Sequence, residues 1–173
     1  VGLTFAGRYI LSADQCCWRF TLETNGKISL EWSTNGTSAA YAAATSSTAP
    51  TVTNGDDLWV RATLDVDNGA GGYEVKFYTS SDGTTWTQLG TTVTGGSTTS
   101  VFSSASAALE VGGSINGTYG LFAGDLYSVE VRNGIGGTVV ASPDFTAPMG
   151  PRLRDAQGNI FTIAGSAWAW ELA

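Results

Sequence analysis

The chain has 173 residues, a formal net charge of −7 and no histidine, and its sequence pI is about 4.3. The length suits one domain with a real core, and 23 glycines with only 13% charged residues imply short strands and turns. The eight Lys and Arg are scattered, which argues against a nucleic-acid partner; no apolar run is long enough to span a bilayer, so membrane insertion is not expected; and the lack of histidine removes His-dependent triads and His metal ligands.

Residues 1–11 read as a strand, and no stretch reads as a signal peptide. A chain that opens inside a strand is expected to be a piece excised from a longer polypeptide. Cys16 and Cys17 follow. Adjacent cysteines in a strand point to opposite faces, so a bond between them is strained, and one buried thiol beside one exposed or packed thiol is expected. Next, Trp18, Phe20 and Leu22 alternate with Arg19, Thr21 and Glu23, and Ile28, Leu30 and Trp32 alternate with Ser29 and Glu31. A Thr24-Asn25-Gly26 loop closing Glu23 on Lys27 places Trp18 opposite Trp32, Phe20 opposite Leu30, Leu22 opposite Ile28 and Arg19 opposite Glu31. The two indoles then belong to the core.

Residues 33–56, which include the Asn54-Gly55 pair, read as loop with one or two weak strands. From 58 to 66, Leu58, Val60, Ala62, Leu64 and Val66 alternate with Trp59, Arg61, Thr63 and Asp65, the period of a half-buried strand. After a glycine-rich joint, Tyr73, Val75 and Phe77 alternate with Glu74, Lys76 and Tyr78. Facing Val66 with Val75 pairs Leu64 with Phe77, Asp65 with Lys76 and Thr63 with Tyr78. A Ser81-Asp82-Gly83 loop closing Ser80 on Thr84 then puts Tyr78 opposite Trp86, Lys76 opposite Gln88 and Val75 opposite Leu89.

Residues 91–107 form another loop-rich stretch, with Val101 and Phe102 as anchors. Strand patterning resumes at 109–112 and 119–133. Residues 153–155 and 159–163 flank an Ala156-Gln157-Gly158 loop, and Trp168, Trp170 and Leu172 share one face of a last strand. Turn signals every ten or so residues with no helix between them imply an all-β fold, a two-sheet antiparallel β-sandwich over 1–173.

The order WVRATLD (59–65), a strand ending in Phe77-Tyr78, and FAGDLYSVEV (122–131) resembles laminin-G/concanavalin-A-like jelly rolls. More narrowly, LEWSTNGT (30–37), WVRATLDVDNG (59–69), VKFYTSSDGTTWTQLG (75–90), VRNGIGGTVVASPDFTA (131–147) and DAQGNIFTIAG (155–165) resemble minor tail proteins of phages infecting actinobacteria. The resemblance covers most of the chain, and its motifs are strands and turns. It departs at Phe161, where tryptophan is expected, and in the Cys16-Cys17-Trp18 run. It implies a single jelly-roll domain cut from a longer tail protein, located in the virion and acting outside the host cell. It also implies two partners: host cell-surface glycan and other phage tail subunits.

Chemistry is sparse. No phosphate-binding glycine loop ends in Lys-Ser or Lys-Thr, and the Glu-x-Asp-x-x-Glu pattern of some concanavalin-like glycosidases is absent, so no enzyme activity is expected. Asp65, Asp67 and Asn68 offer oxygens to calcium only in a pattern much sparser than an EF-hand loop, so no cofactor is assigned. Asp82 is read as a turn-capping carboxylate. A sugar site needs a flat aromatic and planar polar groups. Tyr78 and Trp86, bordered by Arg61, Asp65, Lys76 and Gln88, meet that description. The leading expectation is a non-catalytic carbohydrate-recognition module; the alternative is a structural domain of the tail with no glycan ligand.

Overall fold

The structure is a computed structural model that describes residues 2–12, 14–53, 55–146 and 152–162. Val1, Asn54, Ile163 and the tryptophan-bearing segment at 168–172 lie outside the described residues. The chain divides into two compact units, Val1–Asp125 and Leu126–Ala173.

The first unit holds two antiparallel sheets. One has five strands in the order β4-β3-β2-β1-β9, built from β1 (Leu3–Ile10), β2 (Gln15–Leu22), β3 (Ile28–Ser33), β4 (Tyr41–Thr45) and β9 (Glu110–Val111). The other pairs β5 (Trp59–Asp65) with β6 (Tyr73–Ser80). Two short strands share the far edge of β6: β7 (Thr87–Gln88) and β8 (Val93–Gly95). A short 3-10 turn, Ser38–Ala40, precedes β4. The arrangement is sandwich-like, and neither sheet closes into a barrel.

Period-two alternation explains why the sheets meet. Ile28, Trp32 and Ala44 from the larger sheet join Val75 and Phe77 from the smaller in one buried cluster, flanked by Trp18, Phe20, Leu22, Val60, Ala62 and Leu64. The Trp32 indole meets the Tyr73 ring edge-on at 5.2 Å, and its N–H donates to Thr99 at 2.9 Å. The indole therefore sits in the core with its one polar atom satisfied. Tyr73 in turn lies against Gly95, where any Cβ would meet its ring at 2.0 Å. Only glycine fits there.

The β2–β3 hairpin forms in the expected register: Trp18↔Trp32, Arg19↔Glu31, Phe20↔Leu30 and Leu22↔Ile28. Its three-residue loop closes through Glu23 N–H to the Lys27 carbonyl at 2.7 Å. Cys16 and Cys17 are both buried and unbonded to each other. The strand register slips between Arg8 and Tyr9, which pair with Trp18 and Cys16. That bulge leaves Cys17 as the extra residue, and its sulfur accepts the Ser104 N–H at 3.3 Å. Of the two expected anchors in 91–107, Phe102 packs against Gly36, whereas Val101 is exposed.

The second unit consists of two hairpins, β10 (Val131–Asn133) with β11 (Thr138–Ala141) and β12 (Arg152–Arg154) with β13 (Ile160–Thr162). The Asp155 N–H donates to the Asn159 carbonyl and closes the latter around the expected glycine loop. The strand patterning expected through 119–130 gives instead two isolated bridges, Ser114↔Tyr119 and Ser128↔Asp144. Val129 and Tyr127 do bond to Pro143 and Phe145. Pro143, which carries no N–H, sits in the partner segment and interrupts the ladder.

Candidate functional site on the outer face of the smaller sheet

Both hairpins of the smaller sheet differ from the expected register by two residues. In β5–β6 the pairs are Leu64↔Val75, Ala62↔Phe77, Arg61↔Tyr78, Thr63↔Lys76 and Asp65↔Glu74. The joint makes its own hydrogen bonds. Asn68 Oδ1 accepts the N–H groups of Ala70 and Gly72, Asp67 Oδ1 that of Gly69, and Asp65 Oδ1 that of Asp67. The Asn68 N–H also donates to the Gly72 carbonyl at 2.8 Å. These bonds end the ladder at Asp65 and leave Val66 exposed. They also engage the oxygens of the calcium corner considered above.

In β6–β7, Tyr78 pairs with Gln88 and Thr79 with Thr87. Tyr78 is thus not directly opposite Trp86, Lys76 is not opposite Gln88, and Leu89 bonds to Phe77 rather than sitting across from Val75. The cause is Asp82. Its carboxylate accepts the Thr84 N–H at 2.8 Å and the Thr85 N–H at 2.7 Å. The Ser80 hydroxyl oxygen accepts the Asp82 and Gly83 N–H groups, so the loop is bonded within itself and the ladder resumes at Thr87. Gly83 adopts the expected left-handed conformation, φ 70°, and supports the Trp59 ring.

A two-residue shift changes partners but not faces. The outer face therefore still carries the expected side chains, in rows. Arg61, Tyr78 and Gln88 form one row. Lys76 lies in the next row, beside Thr63, and ion-pairs with Glu74 at 2.9 Å. Asp65 lies a row further, four residues or about 13 Å along β5 from Arg61, and faces Glu74 rather than Lys76. Arg61, Tyr78, Trp86 and Gln88 are brought together; Lys76 and Asp65 are set apart.

Arg61 is the centre of this arrangement. Its guanidinium carbon lies 4.4 Å from the Tyr78 ring centroid and 4.2 Å from that of Trp86. Tyr78 and Trp86, though not paired, are linked through this cation. Arg61 forms no hydrogen bond or ion pair among the described residues, and its Nε is buried without a partner. The Gln88 amide nitrogen donates to the Gly90 carbonyl and to Thr92 Oγ1, at 3.2 and 3.3 Å, so its carbonyl oxygen is the group it offers outward. Sequence reasoning placed Arg61 at the border of the site; its direct Arg61↔Tyr78 pairing was the missed signal.

The Asp82 loop carries Trp86. The N–H groups of Thr85 and Thr84, with the Ser80 hydroxyl, hold its carboxyl well below the usual carboxylate range. A depressed folded pKa contributes stability that is full above the unfolded value, about 3.9, and is lost as pH falls through the folded value. Melting temperature is therefore expected to drop below about pH 4, and more steeply for the native chain than for Asp82→Asn. Equal acid slopes in thermal melts from pH 2 to 6 would refute the role of that carboxylate.

A second polar cluster lies on the outer face of the larger sheet. A cleft of about 240 Å³ is lined by Gly2, Arg19, Thr21, Glu23, Glu31 and Tyr119. Arg19 Nε donates to Glu31 Oε2 at 2.6 Å, and Thr21 donates to Glu23 at 3.0 Å. Burial, then a hydrogen bond with Cys16, pushes the nearby Tyr9 phenol up to about 12. The cleft is smaller than the roughly 300 Å³ at which small-molecule pockets begin, and Arg19, Thr21, Glu23 and Glu31 already satisfy one another.

Fold and site together define an all-β protein with stacked antiparallel sheets and an aromatic–guanidinium cluster on one sheet face. No protein-family model, curated protein or solved structure matches the chain.

Proposed function

We propose that this chain is a non-catalytic recognition module that binds carbohydrate through the outer face of the β5–β6–β7 sheet. The observation that carries the reading is the Tyr78–Arg61–Trp86 stack, with no hydrogen bond from Arg61 to any of the described residues. Sugar recognition combines a flat apolar surface with planar polar groups aimed at hydroxyls. The stack supplies both, with Arg61 and Tyr78 on paired strands and Trp86 on the loop that precedes β7, and Gln88 adds an acceptor. The finer reading is a laminin-G/concanavalin-A-like jelly roll from a phage minor tail protein, acting on host cell-surface glycan from the virion. It rests on the motifs quoted above.

The test is retention of the chain on purified bacterial envelope polysaccharides. Trp86→Ala is expected to weaken retention about tenfold with an unchanged melt, because aromatic packing contributes of order 1 kcal/mol beyond its buried area. Hydrolysis of the polysaccharide would overturn the non-catalytic reading. A second reading, a structural domain of the tail with no glycan ligand, is favoured by exposed Ile135, Val140 and Ile160 in the second unit. A defined oligomer in solution together with no retention on any polysaccharide would support it instead.

A further inference from the structure

Among the described residues, two arginines lie over pairs of aromatic rings. Arg19 sits 4.6 Å from the Tyr9 centroid and 5.2 Å from that of Tyr119. Arg61 sits between Tyr78 and Trp86. The two differ in one respect. Arg19 is neutralised by Glu31, and both side chains are nearly buried. Arg61 has no carboxylate partner among the described residues. Along its face Lys76 and Glu74 pair with each other, and Asp65 lies two rows away beside Glu74. The larger sheet carries a completed structural version of the motif, and the smaller sheet carries the same motif without its anion.

A guanidinium holds five N–H donors in its own plane, and rings over its faces do not use them. Those donors match an oxyanion in a bidentate manner. The positive charge is a single one in a chain of net charge −7, so the match is to one isolated oxyanion beside a saccharide ring. A dense polyanion would need a basic stripe.

We infer that the Arg61 site takes an acidic saccharide, one whose ring lies against Trp86 and Tyr78 and whose carboxylate or phosphate substituent is bound by Arg61. This rests on the carbohydrate reading and adds the ligand class. Uronate and sugar phosphate share the chemistry, and the experiment separates them.

Binding of the 173-residue chain is measured by calorimetry against five probes. These are oligogalacturonate, its methyl ester, a phosphomannan, the same mannan after phosphatase treatment, and polyglutamate. The expected result is binding to oligogalacturonate or to phosphomannan, about tenfold or more weaker once the substituent is uncharged and weaker as salt rises. Whichever acidic probe binds assigns the source of the oxyanion. Arg61→Gln is expected to reproduce the tenfold loss on the acidic probe and to weaken the uncharged one by much less, with Arg61→Lys intermediate. Removing charge from the ligand tests the same contact without touching the fold. Equal affinity for charged and uncharged forms overturns the inference but leaves the carbohydrate reading standing. Failure of every polysaccharide overturns both, as does polyglutamate binding as tightly as the best acidic sugar.

Discussion

Phe77→Ala is expected to cost about 3–5 kcal/mol of stability, a large part of the 5–15 kcal/mol typical of a whole domain. Phe77 is fully buried and sits in the cluster that joins the two sheets of the first unit. Removing its ring loses transfer free energy and leaves a cavity between Val75 on its own strand and Ile28 and Trp32 on the opposite sheet. The next residue is the control. Tyr78 lies on the outer face of the same strand and is half-buried, so Tyr78→Ala is expected to cost about 1 kcal/mol or less. Urea titration of both variants checks the assignment of faces. Comparable losses would mean that the outer face is also packed, and would undermine its use as a binding surface.

The Arg19–Glu31 pair is expected to show the reverse of additivity. Their side chains are only 12% and 10% exposed, and burial, then the neighbouring Glu31 carboxylate, pushes the Tyr41 phenol's pKa up. Glu31→Leu alone strands a guanidinium among tyrosines and is expected to cost about 3 kcal/mol, as is Arg19→Met alone. The double replacement, Arg19→Met with Glu31→Leu, removes both charges and sets a thioether against the Tyr9 and Tyr119 rings. It is expected to lie within about 1 kcal/mol of the native chain. Denaturant melts of the four proteins give the coupling free energy directly. Additive losses would show that the two residues act separately and that the pair is no more than a surface contact.

That comparison bears on the candidate site. If the neutralised Arg19 cluster is structural, its coupling is large and ligand-independent. Arg61, with no ion-pair partner among the described residues, is expected to contribute more to binding than to stability.

Much of the fold was legible in the residues themselves. The alternation of Val60, Ala62 and Leu64 with Arg61 and Thr63 set which side of β5 faces the core, and the structure keeps that choice. The loops at Asn25-Gly26 and Gln157-Gly158 close as read, because in each the first backbone N–H remains free to close the ladder. The loop at Asp82 does not: the Ser80 and Asp82 side chains bond it to itself, and the ladder resumes at Thr87. The joint at 66–72 likewise bonds to itself through Asn68. Tyr127 and Val129 showed strand periodicity, but Pro143 in the partner segment denied them a continuous ladder.

The sequence by itself determined the all-β character and the inward and outward sets of the β2–β3 and β5–β6 hairpins, since period two is a local property of the backbone. Only the tertiary structure decided the partners within those sets. Register depends on loop hydrogen bonds that compete with the ladder. The gathering of Tyr78 and Trp86 around Arg61 depends on three segments meeting across the sheet. Periodicity carried the candidate face. The unpaired charge at its centre came from the packing.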